Sequence, residues 1–296
     1  MDIRVLQYFL AVAREESITK AAETLHMTQP PLSRQLKDLE DEVGKQLLIR
    51  GSKKVTLTED GILLRKRAEE MVALMEKTKS ELSSSDKTIS GEIYMGSGET
   101  EAVSTIAKVA KDLQEEYPLI RYHIYSGDAE HIVERLDKGL IDFGLLVEPF
   151  DVSKYDFIRL PVKDTWGVLM RKDSPLAEKE CIYAEDLWDK PLILSHQTAI
   201  SNEMIAWLRK DVSQLNVVAT YDLLYNASRF VKMGFGYAIA LDKLINTSGD
   251  SNLCFRPLYP VSEAGLCIVW KKYQVFSRAA ERFMQKLRLE FELPDN

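Results

Sequence analysis

Apolar residues recur at every third or fourth position in three segments that open the chain, which is the period of an amphipathic helix. The first predicted helix covers residues 2–14, and a shorter one covers residues 18–25 with Ser17 as its N-cap. Thr28 is suited to cap a third helix, whose leucines recur at spacings of four and three until Gly44. Glycine commonly ends helices because it adopts the left-handed conformation without strain. The pattern predicts three short helices, each with one buried face.

The exposed side of the third helix is polar and basic in its first half. Gln29, Ser33 and Arg34 lie there, and no acidic residue occurs between Thr28 and Lys37. Backbone N–H groups at a helix start bind phosphate, and Gln and Arg side chains can pair with the edges of bases. The front half of this helix is therefore predicted to enter a DNA major groove.

A basic hairpin is predicted directly after the third helix. Two β-prone runs, residues 46–50 and 55–58, flank a tip that contains glycine. The hairpin carries Arg50, Lys53 and Lys54. A basic hairpin beside a recognition helix reaches phosphates or the minor groove, so the first 58 residues are predicted to form a winged helix-turn-helix.

A long helix is predicted from Glu59 to about residue 83, with Thr58 as its cap. Its apolar positions alternate spacings of four and three, which is the pattern of a coiled-coil seam with one polar member, Thr78. The predicted dimerisation residues are Leu64, Ala68, Met71, Met75 and Leu82. The alternative is an amphipathic helix that packs on its own domain. Residues 83–87 have the composition of a flexible connector.

The remaining two thirds of the chain alternate strand and helix patterns, which predicts a mainly parallel α/β fold. A βαβαβ unit begins near residue 93, and a second such region follows it. The expected first lobe comprises about residues 89–161 and 265–296, and the second comprises about residues 162–264. Two lobes joined by two crossing segments leave a cleft at the carboxyl ends of strands, where such sheets bind ligands.

Polar residues that directly follow these strands are the candidate effector-binding residues. They are Ser97, Glu99, Thr100, Ser126, Ser195, His196 and Thr198. Hydroxyl groups and backbone N–H groups at helix starts could hold a carboxylate. Glu99 instead suggests pairing with an amine, or a cap on its own helix, and the cap is the preferred interpretation.

The net charge of −7 over 296 residues does not exclude DNA binding. Nucleic acid responds to the local field of the face that contacts it, over about 10 Å in 0.1 M salt. No segment has the run of about 18 apolar residues that crosses a bilayer, and the N-terminus lacks the features of a signal peptide. A cytoplasmic protein without membrane contact is therefore expected.

Catalytic and metal-binding patterns are weak. Cys181, Cys254 and Cys267 match no zinc or CxxC spacing and are expected to be buried reduced thiols, the alternative being a redox sensor. The four histidines have no metal-ligand spacing, and no nucleophile elbow, phosphate loop or dinucleotide fingerprint occurs. No enzyme activity, metal or cofactor is expected. A solute-binding protein for transport is the other alternative, and the predicted DNA-binding segment opposes it.

The N-terminal residues resemble the LysR-type transcriptional regulator family. The segments that carry the resemblance are Leu6-x-x-Phe9-x-x-Val12-Ala13, Ser17-x-Thr19-x-Ala21-Ala22-x-x-Leu25, Thr28-Gln29-Pro30-x-Leu32-Ser33-x-Gln35-Leu36-x-x-Leu39-Glu40, Gly44-x-x-Leu47-Leu48-x-Arg50 and Leu57-Thr58-Glu59-x-Gly61. Leu48 stands where the family usually has Phe. A weaker resemblance to the family's effector module, itself similar to periplasmic solute-binding proteins, rests on residues 142–145, 191–193 and 234–238.

The resemblance implies a DNA-contacting role for a defined set of residues. In the recognition helix they are Gln29, Pro30, Ser33, Arg34 and Lys37, and in the wing they are Arg50, Lys53 and Lys54. Thr28 completes the candidate DNA-binding set. The resemblance also implies a homodimer, often a dimer of dimers, that binds double-stranded DNA with two-fold character. RNA polymerase is a further candidate partner.

The expected architecture is therefore a DNA-binding domain at residues 1–58, a linker and dimerisation helix with a hinge at 59–88, and a two-lobed, periplasmic-binding-protein-like effector domain at 89–296. The expected mechanism is allosteric. A small molecule, whose identity the sequence leaves open, would favour one arrangement of the oligomer and so change its contacts with DNA.

Overall fold

The computed structural model describes residues 1–51, 54–82, 89–151, 153–196 and 202–291. The chain forms two compact units, Met1–Ser83 and Ser84–Asn296. The connector predicted at residues 83–87 lies outside the described residues. Within the described ranges, no helix combines the length and the apolar character that a membrane span needs.

The N-terminal unit contains three short helices, a two-stranded hairpin and one long helix. In chain order its elements are α1 (Ile3–Glu15), α2 (Ile18–Thr24), α3 (Gln29–Val43), β1 (Leu48–Arg50), β2 (Val55–Leu57) and α4 (Glu59–Leu82). Strands β1 and β2 pair antiparallel, with Leu48 opposite Leu57. These elements confirm the three helices, the hairpin and the long helix expected from the apolar pattern.

The helix ends of this unit follow from individual residues. The Ser17 side chain accepts a hydrogen bond from the N–H of Lys20 at 3.3 Å, which caps α2. Thr28 is the N-cap residue of α3, but its side chain makes no capping hydrogen bond. Gly44 ends α3 in the left-handed conformation at φ 70°. The helices are held together by apolar side chains that include the buried Leu32.

Helix α4 starts at a tight junction with the hairpin. Thr58 Oγ1 accepts a hydrogen bond from the N–H of Gly61 at 3.0 Å and donates one to the carbonyl of Gln46 at 2.7 Å. A Cβ at position 61 would lie 2.2 Å from the carbonyl oxygen of Leu47. Glycine is needed at this position because backbone, which cannot move aside cheaply, fills the space.

The seam predicted along α4 is only partly available to a second copy of the chain. Ala68 has no exposed surface, and Leu64 packs against the core of the N-terminal unit. The prediction that Ala68 faces a partner is therefore wrong, because its own unit buries it completely, whereas partly buried Leu64 stays a prediction. Met71 is 40% exposed and Leu82 is 81% exposed, whereas Met75 is half-buried.

The C-terminal unit is a mixed α/β structure. Its strands are β3 (Gly91–Ser97), β4 (Ile120–Ser126), β5 (Phe143–Val147), β6 (Tyr155–Arg171), β7 (Leu192–Ser195), β8 (Val217–Tyr221), β9 (Tyr237–Leu241), β10 (Leu253–Pro257) and β11 (Glu263–Lys271). Its α-helices are α5 (Val103–Glu116), α6 (Ala129–Asp137), α7 (Asn202–Leu208), α8 (Leu224–Lys232) and α9 (Arg278–Phe291). The described residues of this unit also form short 3₁₀ helices at Pro175–Glu178, Ala184–Leu187 and Val212–Gln214.

The strands form two parallel groups that two long antiparallel strands connect. In lobe 1, β3 lies between β4 and β5 and pairs parallel with both. In lobe 2, β7 lies between β8 and β9 and also pairs parallel with both. Strand β6 pairs with β11 as far as Thr165, and from Trp166 onward it pairs with β9. One continuous strand therefore runs through both lobes.

Each lobe has its own apolar core. Phe143, Ile268 and Phe283 are buried in lobe 1, between the sheet and helices α5 and α9. Val168 and Ile239 are buried in one of the clusters of lobe 2. This packing confirms the two-lobed α/β fold. The first half of β6 and the whole of β10 were not predicted from the sequence.

Candidate DNA-binding face and ligand cleft

The front half of α3 presents an open basic surface. Gln29, Pro30, Arg34 and Lys37 are exposed, and Ser33 is half-buried. Within the described ranges, neither Arg34 nor Lys37 has an ion-pair or hydrogen-bond partner. Because Leu32, Leu36 and Leu39 hold the opposite face of the helix in the core, these polar side chains point away from the unit.

The cations of the hairpin are differently placed, because acidic residues hold them. The Nη2 atom of Arg50 lies 3.4 Å from Glu40 Oε2, and the Nζ atom of Lys54 lies 3.1 Å from Glu16 Oε2. Lys53, the third predicted wing cation, lies outside the described residues. The described wing cations therefore have protein partners that DNA phosphates would have to compete with.

Glu40 connects α3 to the hairpin. Its Oε1 atom accepts hydrogen bonds from the backbone N–H groups of Leu47 at 2.8 Å and Leu48 at 2.9 Å. The Glu40 side chain is only 14% exposed. The sequence interpretation grouped Glu40 with acidic residues that merely avoid DNA, and so missed its structural role. A weak signal was available, since the residue stands one helical turn before the end of α3 and close to the β1 strand in sequence.

A cavity of about 420 Å³ lies between the two lobes of the C-terminal unit. The carboxyl ends of β3, β4 and β5 supply one wall, and those of β7 and β8 supply the other. Such a volume falls within the range of small-molecule sites. The position also agrees with the general placement of ligands at the carboxyl ends of parallel strands.

Three of the predicted effector-binding residues line this cavity, namely Glu99, Thr100 and Ser195. The structure does not bring Ser97 to its wall, because Ser97 lines a separate apolar hollow of about 230 Å³ in lobe 1. Ser126 is exposed at the end of β4 and does not line the cavity either.

His196 does not line the cavity either. Its Nε2 atom lies 3.6 Å from Asp222 Oδ1 and 3.4 Å from Thr220 Oγ1, and its side chain is 63% exposed. The remaining predicted residue, Thr198, lies outside the described residues.

Glu99 joins the two lobes. Its carboxylate accepts a hydrogen bond from the backbone N–H of Leu224, the first residue of α8 in lobe 2. The expectation that Glu99 caps its own helix is wrong, because α5 starts only at Val103 and the Thr100 hydroxyl accepts the N–H of Ala102 at 3.1 Å. The Thr100 hydroxyl also donates to the buried carboxylate of Asp164 in β6.

Burial and neighbouring charges shift the pKa values of ionisable side chains around the cavity. Burial raises the pKa of Asp164, and the hydrogen bond from Thr100 opposes that effect. The Nδ1 atom of His131 lies 2.7 Å from Asp128 Oδ1, and this contact raises the pKa of the imidazole. Asp222 of the other lobe raises it further. The negative charge of Asp222 in lobe 2 therefore influences the His131 side chain of lobe 1.

Several cavity residues were missed from the sequence. They are the acidic residues Asp128, Glu148, Glu203 and Asp222 and the aromatic residues Trp166 and Tyr221. Asp128, Glu148 and Asp222 each follow a strand within two residues. The rule that selected the serines would therefore also have selected these acids.

Comparison with known proteins agrees with both units. Residues 86–292 match the LysR substrate binding domain, and residues 3–62 match the bacterial regulatory helix-turn-helix protein of the lysR family. The chain belongs to the LysR family. This LysR-family chain is a transcriptional regulator with a helix-turn-helix domain and a substrate-binding domain, and its relatives are named as transcriptional regulators.

Three similar proteins illustrate the range of the family. BsdA of Bacillus subtilis (strain 168), an HTH-type transcriptional regulator, is 41% identical over 143 residues, which are 48% of this chain and 49% of BsdA. HcaR of Escherichia coli (strain K12), the Hca operon transcriptional activator, is 28% identical over 279 residues, 92% of each chain. Full-length CbnR, solved in complex with its target DNA, has 18% identity and a TM-score of 0.76, covering 98% of this chain and 99% of CbnR.

Proposed function

We propose that this chain binds a specific DNA sequence as a homo-oligomer and regulates transcription in response to a small molecule held between its lobes. The open front half of α3 carries this proposal. Arg34 and Lys37 are exposed there without a partner among the described residues, beside the exposed amide of Gln29. Unpaired donors on a helix that can enter a major groove are suited to base edges and phosphates.

We propose the following division of labour along the chain. Residues 1–58 bind DNA, residues 59–88 link and dimerise, and residues 89–296 bind the effector. Lobe 1 comprises about residues 89–161 and 265–296, and lobe 2 comprises about residues 162–264. The change of partner strands along β6 at Thr165 and Trp166 supports a lobe boundary near this point.

The recognition set is also a proposal. It comprises Thr28, Gln29, Pro30, Ser33, Arg34 and Lys37 in and before α3, and Arg50, Lys53 and Lys54 in the wing. The α3 residues would read bases because they are open, whereas the wing cations would bind phosphates in competition with Glu40 and Glu16. A DNA-binding regulator acts where the chromosome is, so the cytoplasm of a bacterial cell is its proposed location.

Helix α4 supports a homodimer. Its exposed apolar side chains include Ile62 at 60%, Leu63 at 59%, Leu74 at 43% and Leu82 at 81%. Apolar groups at this density on one helix are suited to a matching helix of a second copy. Of the predicted seam, Leu64, Met71, Met75 and Leu82 remain candidates. A dimer would present two α3 helices to a two-fold operator, and a dimer of dimers would bind two such sites.

The test is selection of DNA from a random-sequence pool by the full chain, followed by affinity measurements on the selected site. We expect Arg34→Ala to reduce the preference for the selected site over scrambled DNA by about fivefold or more, because a good base contact contributes about 1–3 kcal/mol of discrimination. Lys54→Ala should weaken binding to both DNAs equally and lower the salt dependence by about one phosphate contact.

Arg209→Ala is the matched control, since Arg209 is an exposed arginine of lobe 2 that pairs with Glu185 at 3.2 Å. It should leave affinity and preference unchanged. Failure of the pool to yield any enriched sequence would contradict the proposed function. Unchanged preference in Arg34→Ala would contradict the placement of α3 in the groove.

A further inference from the structure

We infer that the ligand of this cleft is an organic cation, with an ammonium group attached to an apolar body. The inference rests on the proposed function, because it takes the cavity between the lobes as the effector site. It concerns only the chemical class of that effector.

Carboxylates are present on both walls of the cavity. Glu99, Asp128 and Glu148 come from lobe 1, and Glu203 and Asp222 come from lobe 2. Among the described residues that line the cavity, none is a lysine, arginine or histidine. In the sequence, residues 197–201 (QTAIS) contain no basic residue either. An anionic ligand would therefore enter a site of its own charge.

Three of these five carboxylates have a basic side chain beside them, and one of these pairs is His196 Nε2 at 3.6 Å from Asp222 Oδ1. Arg159 Nε lies 2.9 Å from Glu148, and the His131 ring lies 2.7 Å from Asp128. Neither Glu99 nor Glu203 has a cationic partner in the part of the chain that the structure describes. Two carboxylates, one on each wall, thus remain available to an incoming ammonium group.

At the starts of α5, α6 and α8, protein carboxylates already accept N–H groups that a bound anion would use. Carboxylate ligands commonly bind the free N–H groups at helix starts. At the start of α6, Asp128 Oδ1 accepts the N–H of His131 at 2.8 Å, and at the start of α8 the carboxylate of Glu99 accepts the N–H of Leu224. At the start of α5, buried Asp164 accepts hydrogen bonds from Thr100 and from the N–H of residue 101. The starts of α5, α6 and α8 therefore each have an internal carboxylate.

The rest of the lining suits an apolar body attached to the cation. Leu145, Met204 and Leu244 contribute aliphatic surface, and Trp166 and Tyr221 contribute aromatic rings. Aromatic faces attract ammonium groups within about 6 Å. A metal ion is less suitable, because no group of three or more His, Cys, Asp or Glu side chains in the described residues is arranged to hold one.

An organic cation would also explain how ligand binding changes the arrangement of the two lobes. Glu203 and Asp222 of lobe 2 repel the carboxylates of lobe 1 across the cleft. A cation between them replaces repulsion by attraction and so favours the arrangement with the lobes closer together. This difference in affinity between two arrangements is what an allosteric effector requires.

The experiment compares three probes of one shape on the full chain. Benzylamine is the cation, benzyl alcohol is the neutral analogue and benzoate is the anion, each at about 10 mM, where a ligand of millimolar Kd still raises stability measurably. Thermal unfolding of the C-terminal unit is followed by tryptophan fluorescence at constant ionic strength. We expect benzylamine to raise the unfolding temperature most and benzoate to raise it least.

The double variant Glu203→Gln, Asp222→Asn should weaken benzylamine binding about tenfold, since each partly exposed ion pair contributes a few-fold in affinity. Glu180→Gln is the matched control, because Glu180 is an exposed glutamate of lobe 2 that does not line the cavity. It should bind benzylamine like the original chain. Both substitutions lie at exposed carboxylates, so the variants should retain the fold.

Three results would overturn the inference. They are stabilisation by benzoate equal to or greater than that by benzylamine, absence of stabilisation by all three probes, and equal effects of the double variant and the control. The same preparations are assayed on the selected DNA. Intact DNA binding together with any of these results refutes the cationic effector alone, whereas loss of DNA binding in the unmodified chain contradicts the proposed function.

Discussion

Replacing Glu40 by alanine should destabilise the N-terminal unit and displace the wing. The Glu40 carboxylate accepts the N–H groups of Leu47 and Leu48 at 2.8 and 2.9 Å, and both leucines are 1% exposed. Alanine would leave two N–H groups in a buried region without acceptors. Each such group costs about 1–3 kcal/mol, so the free energy of unfolding of this unit should fall by about 2–6 kcal/mol.

The two units can be observed separately in the full chain. All four tryptophans, at positions 166, 188, 207 and 270, belong to the C-terminal unit. Far-ultraviolet circular dichroism reports helices of both units, whereas tryptophan fluorescence reports only the second. For a unit of this size, 1 kcal/mol shifts the midpoint by about 4–8 °C, so Glu40→Ala should lower the dichroism midpoint of the N-terminal unit by at least about 8 °C.

Two further variants make the reasoning refutable. Glu40→Gln keeps a neutral acceptor and should show an intermediate loss, because hydrogen bonds to charged groups are about twice as strong as neutral ones. Asp41→Ala removes an exposed carboxylate from the next position of α3 and should change stability by less than about 0.5 kcal/mol. If Glu40→Ala melted like Asp41→Ala, Glu40 would not be the connection between α3 and the hairpin. If Glu40→Ala lowered only the midpoint measured by tryptophan fluorescence, the assignment of the effect to the N-terminal unit would also be contradicted.

Two other substitutions test particular contacts. Gly61→Ala places a Cβ about 2.2 Å from the Leu47 carbonyl oxygen and should destabilise the N-terminal unit by about 1–3 kcal/mol in the same dichroism assay. The control is Lys66→Ala at an exposed position of α4. Equal unfolding midpoints of the two variants would show that the backbone at this junction shifts to accommodate the Cβ. Burial raises the pKa of Cys267 to about 12 and also raises the pKa of Cys254, so both should stay protonated and unreactive at pH 8. With a disulfide reagent at that pH, half-buried Cys181 should react before the two buried cysteines and produce the fast phase of the reaction. Cys181→Ser should abolish this fast phase. A fast phase that persists in Cys181→Ser would refute the assignment of the reactive thiol to Cys181.

The N-terminal unit was predictable because its determinants are local. Ser17, Gly44 and Thr58 end or start helices through contacts within a few residues, or, for Thr58, with the adjacent hairpin. The apolar period then determines which face is buried. The exception is Ala68, where a heptad pattern gives the same spacing whether the apolar face meets a partner or the chain's own core.

The cleft was less predictable because its contacts join distant segments. Glu99 and Leu224 are 125 residues apart, and nothing in the local sequence of either indicates that they meet. The choice of hydroxyl residues also assumed an anionic ligand, so Asp128 and Asp222 were passed over although they follow strands in the same way. The position of the cleft followed from the βαβ order, but its charge required the three-dimensional arrangement.

The uninterrupted course of β6 restricts how the two lobes can move. Between Tyr155 and Arg171 the strand exchanges β11 for β9 and β10 as neighbours without a break in its own backbone. A flexible loop between the lobes would let them open widely and in many directions. A strand that is hydrogen-bonded along its length deforms mainly by changing its twist. Ligand-dependent motion in this unit should therefore be a rotation of one lobe against the other about the axis of β6, with low amplitude and a fixed direction.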